Sequence, residues 1–142
     1  MNRRDLMSLM RGRLDPAYFA SAIHAELQDY SDGWRTRGGS SPVVVTGATT
    51  ENVGVSDIRR LINLTRASRV SPEMFRYAID AIIMDEKLIV DDELFDALCS
   101  FVPTDFGGDF YNSSTSWMQT CKTKKMTAKK GQSKLALNSD RP

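Results

Sequence analysis

Two cap-and-proline pairs constrain this chain more than any other feature. Asp15-Pro16 and Ser71-Pro72-Glu73 each put a side-chain acceptor just before a proline, at the one helical position where a missing N–H costs nothing. After the first pair, Phe19, Ile23, Leu27, Tyr30 and Trp34 recur at spacings of four, four, three and four. That stripe predicts one helix running from Pro16 past Trp34, with Ser21, Gln28 and Asp32 on its wet side. After the second pair, Met74, Phe75, Ala78, Ile79, Ile82 and Ile83 give a broad apolar face, the natural centre of a core.

Three further helices follow from the same periodicity. Arg4 to Arg13 aligns Leu6, Met7 and Met10, with Leu14 following, but so short a helix needs partners to hold it. Ser56 or Asp57 can cap a helix that turns Ile58, Leu61, Ile62 and Thr65 inward and Arg59, Arg60, Asn63 and Arg66 outward. Asp91 or Asp92 can cap a last one, with Leu94, Phe95, Leu98 and Phe101 inward, Cys99 as a small core residue, and Pro103 as its stop. Val43 to Thr46 is β-branched and reads as a short strand, Gly47 to Asn52 as a polar loop, and Asp85 to Val90 as a plain connection. The expected fold is mainly α: four to five helices in a small orthogonal or bundle-like arrangement, with one short strand.

The charges divide the chain near Tyr111. Residues 1–111 carry eleven Arg, one Lys and 17 acids, a net of −5; residues 112–142 carry six Lys, one Arg and one acid, a net of +6. The first part is expected to be a helical domain. The second, rich in Lys, Ser and Thr, cannot bury enough apolar surface to offset its ordering entropy and is expected to be a disordered basic tail. Its Lys122, Lys124, Lys125, Lys129, Lys130 and Lys134 suit weak, salt-dependent binding to an anionic surface. A tail of unrelated coding sequence at an altered gene end is the competing explanation.

Several classes are excluded or disfavoured on composition. No apolar run approaches the roughly 20 residues of a membrane-spanning helix, and the N-terminus lacks the apolar stretch of a secretory signal. Cys99 and Cys121 make no disulfide framework, and no Cys/His cluster offers metal-ligand spacing. A cytoplasmic protein without metal or cofactor is the expectation.

Four segments are candidate sites. Val43-Val44-Val45-Thr46-Gly47-Ala48-Thr49-Thr50-Glu51-Asn52-Val53-Gly54 resembles the strand and glycine loop that open a dinucleotide-binding fold of the short-chain dehydrogenase type. That resemblance implies a pyrophosphate held at the next helix N-terminus, although Thr50-Glu51 replace the middle glycine and set an acid toward phosphate. Leu64 to Ala78 resembles a helix-turn-helix in outline, through Leu64, Val70 and Phe75. Arg69 stands where its turn wants glycine, and Glu73 and Asp80 would repel a phosphate backbone. Arg59, Arg60, Arg66 and Arg69 form an arginine face fit for phosphate or carboxylate, or for pairing with Asp57, Glu73 or Asp80. His24, the single histidine, sits at the flank of its helix stripe as a boundary residue, with its ring partly packed and no evident nucleophile beside it.

No segment unites the parts of an active site, so no catalytic residue is assigned. The leading expectation is a non-catalytic protein-interaction or accessory module, for example an immunity-like inhibitor of a basic protein. Nucleic-acid binding through the arginine face and lysine tail is the alternative, and a nucleotide-binding enzyme fragment the second alternative.

Overall fold

A computed structural model describes residues 1–37 and 43–100, with side chains described for 1–33 and 43–100. The tail 112–142, its lysines, and Phe101 lie outside the described residues. The described part is mainly helical, with six helices and one two-stranded sheet. In chain order these are α1 (Arg3–Met10), α2 (Pro16–Ala22), α3 (His24–Arg37), β1 (Glu51–Val53), α4 (Val55–Arg66), α5 (Pro72–Met84), β2 (Leu88–Val90) and α6 (Asp92–Ser100).

Both cap-and-proline pairs start helices. The Asp15 carboxylate accepts from the Ala17 and Tyr18 amides, and the Ser71 hydroxyl from the Met74 amide. The predicted single helix from Pro16 is bent into two at Ile23, which adopts φ −104° and ψ 8°. Ile23 still donates to the Phe19 carbonyl and accepts from the Leu27 amide, so the apolar spacing passes through the bend unbroken. The periodicity is therefore blind to it. The bend turns α3 onto α5, where Tyr30 is buried.

The strand expectation needs correcting in position. Val43 to Thr46 joins no sheet: Thr46 forms an isolated parallel bridge with Asn2, its amide donating to the Met1 carbonyl and its carbonyl accepting from the Arg3 amide at 2.9 Å each. The strands lie instead where a loop and a plain connection were expected. β1 and β2 pair in parallel, in the register Glu51↔Leu88, Asn52↔Ile89 and Val53↔Val90. Three residues are too few to display a period of two, and only the pairing of two distant segments makes them strands. The α4–α5 pair bridges them.

The core gathers Leu6, Leu9 and Met10 of α1, Phe19 of α2, Ile58, Leu61 and Ile62 of α4, Phe75 and Ile82 of α5, and Leu94 and Leu98 of α6. α5 is its centre, as the breadth of its apolar face predicts, and packs on α3, α4, α6 and β2. α1 is held by packing on α2 and α4, and by Asn2, whose side chain accepts from the Arg4 amide. Two side chains expected inward on α6 are exposed: Phe95 is 40% accessible, and Cys99 is exposed as a free thiol. Leu94, Ala97 and Leu98 suffice to fill the contact with α5, and Phe95 and Cys99 fall on the opposite side of so short a helix. Among the described residues no helix is long and apolar enough to cross a membrane.

Candidate functional site

An open cavity of about 890 Å³ lies where the N-terminal residues, the α2–α3 bend, the segment near Val44 and α5 meet. Asp5, Glu26, Asp29 and Asp32 line it with acid, and the almost wholly buried Tyr30 and Tyr77 border it. The elements that build it follow from the bend at Ile23. One side of that bend lays Phe19 in the core, and the other points Glu26 and Tyr30 toward α5.

The two tyrosine rings meet edge to face, with centroids 5.0 Å apart at 69°. Each hydroxyl donates to a carboxylate: Tyr77 to Glu26 at 2.8 Å, and Tyr30 to Asp80. The amino group of Met1 donates to the same Glu26 carboxylate and to the Val44 carbonyl. Burial raises the Glu26 carboxyl, but hydrogen bonds from the Met1 amine and Tyr77 outweigh it and hold it below its ordinary value. Burial, followed by the hydrogen bond to Glu26, pushes the Tyr77 hydroxyl well above its ordinary range. Glu26 is thus held anionic, and Tyr77 neutral as a donor.

A second polar cluster stabilises the wall behind the cavity. The Arg3 guanidinium, almost wholly buried, donates through two nitrogens to Asp85 at 2.6 and 3.1 Å, and to the Gly47 and Thr49 carbonyls at 2.6 and 2.9 Å. It joins α1 to the 47–49 loop and to the end of α5. Burial raises Asp85, yet hydrogen bonds from Arg3 and from the Lys87 amide hold it below its ordinary value. The fork geometry of arginine suits this role, since one planar cation satisfies four acceptor contacts.

The sites named from sequence fall elsewhere. In the glycine-loop segment, Gly54 caps α4 in place of the expected Ser56 or Asp57, and its amide donates to Asp57 at 3.0 Å. The helix start where a pyrophosphate would sit thus already holds a carboxylate, and Glu51 and Asp57 both pair with Arg11. That arrangement does not fit a dinucleotide. In the helix-turn-helix outline the residue with positive φ is Ser68, at 57°, rather than Arg69. Its second helix, α5, buries Met74, Phe75, Tyr77, Ala78, Ile79, Ala81 and Ile82 and keeps Glu73, Arg76 and Asp80 half-buried.

The arginine face is present on α4 and just beyond it. Arg59, Arg60 and Arg69 are exposed and Arg66 is half-buried. Arg69 lies 3.7 Å from Asp15, and the Arg60 guanidinium lies over the backbone of Gly12. Asp57 pairs with Arg11, Glu73 accepts from Ser31, and Asp80 accepts from Tyr30. His24 is exposed at the start of α3, rather than partly packed.

Sequence reading missed Arg3, Glu26, Tyr77 and Asp85. Tyr77 carried one signal, a hydroxyl within the apolar face of α5 that has to find an acceptor when buried. Arg3, Glu26 and Asp85 carried none, because their partners lie 25 to 82 positions away. Comparison of the chain with family models, with curated proteins and with solved structures finds no match.

Proposed function

We propose that the chain is a non-catalytic protein-interaction module that receives a basic side chain of a protein partner in the cavity beside Tyr30 and Tyr77. The observation that carries this reading is an open cavity lined by the carboxylates of Asp5, Glu26, Asp29 and Asp32. A carboxylate receives a cationic side chain in charge-assisted hydrogen bonds, which are roughly twice as strong as neutral ones. An inhibitor of a basic protein, acting in the cytoplasm, is the role such a surface suits. The net charge of −5 over residues 1–111 would also speed encounter with a basic partner.

The test is a nuclear magnetic resonance titration of the full chain with a lysine- and arginine-rich peptide and with a glutamate-rich control. The basic peptide is expected to shift the resonances of Glu26, Tyr30 and Tyr77, with an affinity that falls as salt rises. An Asp29→Asn/Asp32→Asn variant should bind several-fold more weakly with its fold retained. Absence of cavity shifts at low salt, or equal shifts with the acidic peptide, refutes the reading.

A second reading is favoured by the exposure of the adjacent Arg59 and Arg60 on α4. Together with Arg66, Arg69 and the lysines Lys122, Lys124, Lys125, Lys129 and Lys130, they would bind nucleic acid through its phosphates. Gel shifts at low and high salt decide it, and no complex even at low salt removes it.

A further inference from the structure

The outward face of α6 is charged without counter-charge. Asp92, Phe95, Asp96 and Cys99 follow one another at the spacing of a single helical stripe, and all four are exposed, while Leu94, Ala97 and Leu98 are buried beneath. Helix capping explains Asp91, whose carboxylate accepts from the Leu94 amide at 2.8 Å, and the helix dipole favours Asp92 and Glu93 in the first turn. Neither explains Asp96. It lies past that turn and one turn from Asp92, where like charges repel.

Among the other described acids Asp15, Glu26, Glu51, Asp57 and Asp85 have cationic partners, and Glu73 and Asp80 accept from Ser31 and Tyr30, while Asp5 makes no ion pair. Among the described residues, Glu86, Asp91, Asp92, Glu93 and Asp96 make no ion pair. Phe95, 40% accessible, is the large apolar side chain on that same stripe. A surface that is both acidic and apolar matches a segment that is both basic and aromatic.

The rest of this chain is such a segment. It continues directly from α6 and carries Phe106, Phe110, Tyr111 and Trp117, then six lysines between Lys122 and Lys134. The lengths are compatible. α6 has nine residues and so is only about 14 Å long, whereas 20 residues of extended chain reach over about 65 Å.

We propose that the Lys122–Lys134 stretch of the same chain docks on the outward face of α6. Its lysines lie against Asp92, Glu93 and Asp96, and the aromatics before it cover Phe95. This contact is independent of the tyrosine-lined cavity. It assigns the lysines an internal partner, so that a basic protein or a phosphate backbone has to compete with it.

The test is zero-length carbodiimide coupling of lysines to carboxylates in the full chain, on an equal mixture of nitrogen-14 and nitrogen-15 protein, with the joined peptides read by mass spectrometry. Links within one chain, concentrated on Asp92, Glu93 and Asp96 and suppressed at high salt, are expected. Links concentrated on Asp5, Glu26, Asp29 and Asp32, links spread evenly over exposed carboxylates, links only between chains, or none at all overturn the proposal. Cys99 and Cys121 provide a second readout. Disulfide formation between them within the full chain should slow about fivefold in an Asp92→Asn/Asp96→Asn variant at low salt, from the loss of two surface ion pairs. Both positions are exposed, so circular dichroism should show the fold retained, and an unchanged rate counts against docking.

Discussion

Leu6→Ala is the sharpest test of how this domain is held together, because α1 has eight residues and cannot stand alone. Leu6 has 0% of its surface accessible and belongs to the same core as Leu61 and Ile62, which have 0% as well. The substitution removes three carbons, a transfer loss of about 2.4 kcal/mol at about 0.8 kcal/mol per buried carbon. The cavity left behind brings the expected cost to about 3–4 kcal/mol, within the range for fully buried leucines. A domain of this size has only about 5–15 kcal/mol in total, so the loss should lower Tm by roughly 15–25 °C. Urea unfolding followed by circular dichroism measures it, with Met84→Ala, on a residue 63% exposed, as a control expected to cost under about 0.5 kcal/mol. A cost for Leu6→Ala below about 1 kcal/mol would refute the reasoning, since it would mean that α1 does not pack on α4. The cavity would then lose its N-terminal wall as well.

Acid should unfold the domain through Glu26 and Asp85. Both are held below their ordinary values of 4.5 and 3.8, so their stabilisation is complete above those values and is lost as pH falls through the depressed folded-state pKa. Stability of Glu26→Gln and Asp85→Asn should therefore fall less steeply than that of the parent chain below about pH 4.5, and parallel curves would exclude the assignment. Tyr77 has the opposite sense: its raised value means that stability is complete below its ordinary 10.0 and is lost as pH rises beyond it. Near-ultraviolet titration should lose its last phenol step in Tyr77→Phe. Gly12→Ala should destabilise by about 1–2 kcal/mol in urea melts, because Gly12 has φ +73°, a conformation that side chains rarely adopt, while the exposed Arg60 guanidinium near it is free to swing aside. A neutral result would mean that Gly12 does not hold that backbone conformation.

The helical character of the domain, its cap-and-proline starts and the central place of α5 were legible in the sequence. They rest on interactions between residues three or four positions apart, and spacing alone displays those. The bend at Ile23 was hidden, because it keeps the local hydrogen bonds that maintain the spacing. The two strands were hidden because each is three residues long and exists only through the other. Phe95 and Cys99 read as inward because an apolar side chain reports its own preference, while Leu94, Ala97 and Leu98 decide how much of α6 the core has room for.

The candidate cavity is a product of tertiary structure. Glu26, Tyr30 and Tyr77 are ordinary members of two amphipathic helices until the bend at Ile23 sets α3 against α5. Arg3 and Asp85 lie 82 positions apart, and nothing near either one announces that the pair is buried. The sequence by itself determined which segments are helical and how the charge divides near Tyr111, because local hydrogen bonding, side-chain spacing and ionisation are properties of the chain. Which carboxylates find cations and which stay open to solvent was decided by the packing of the helices, since ion pairing depends on distance in space and not on distance along the chain.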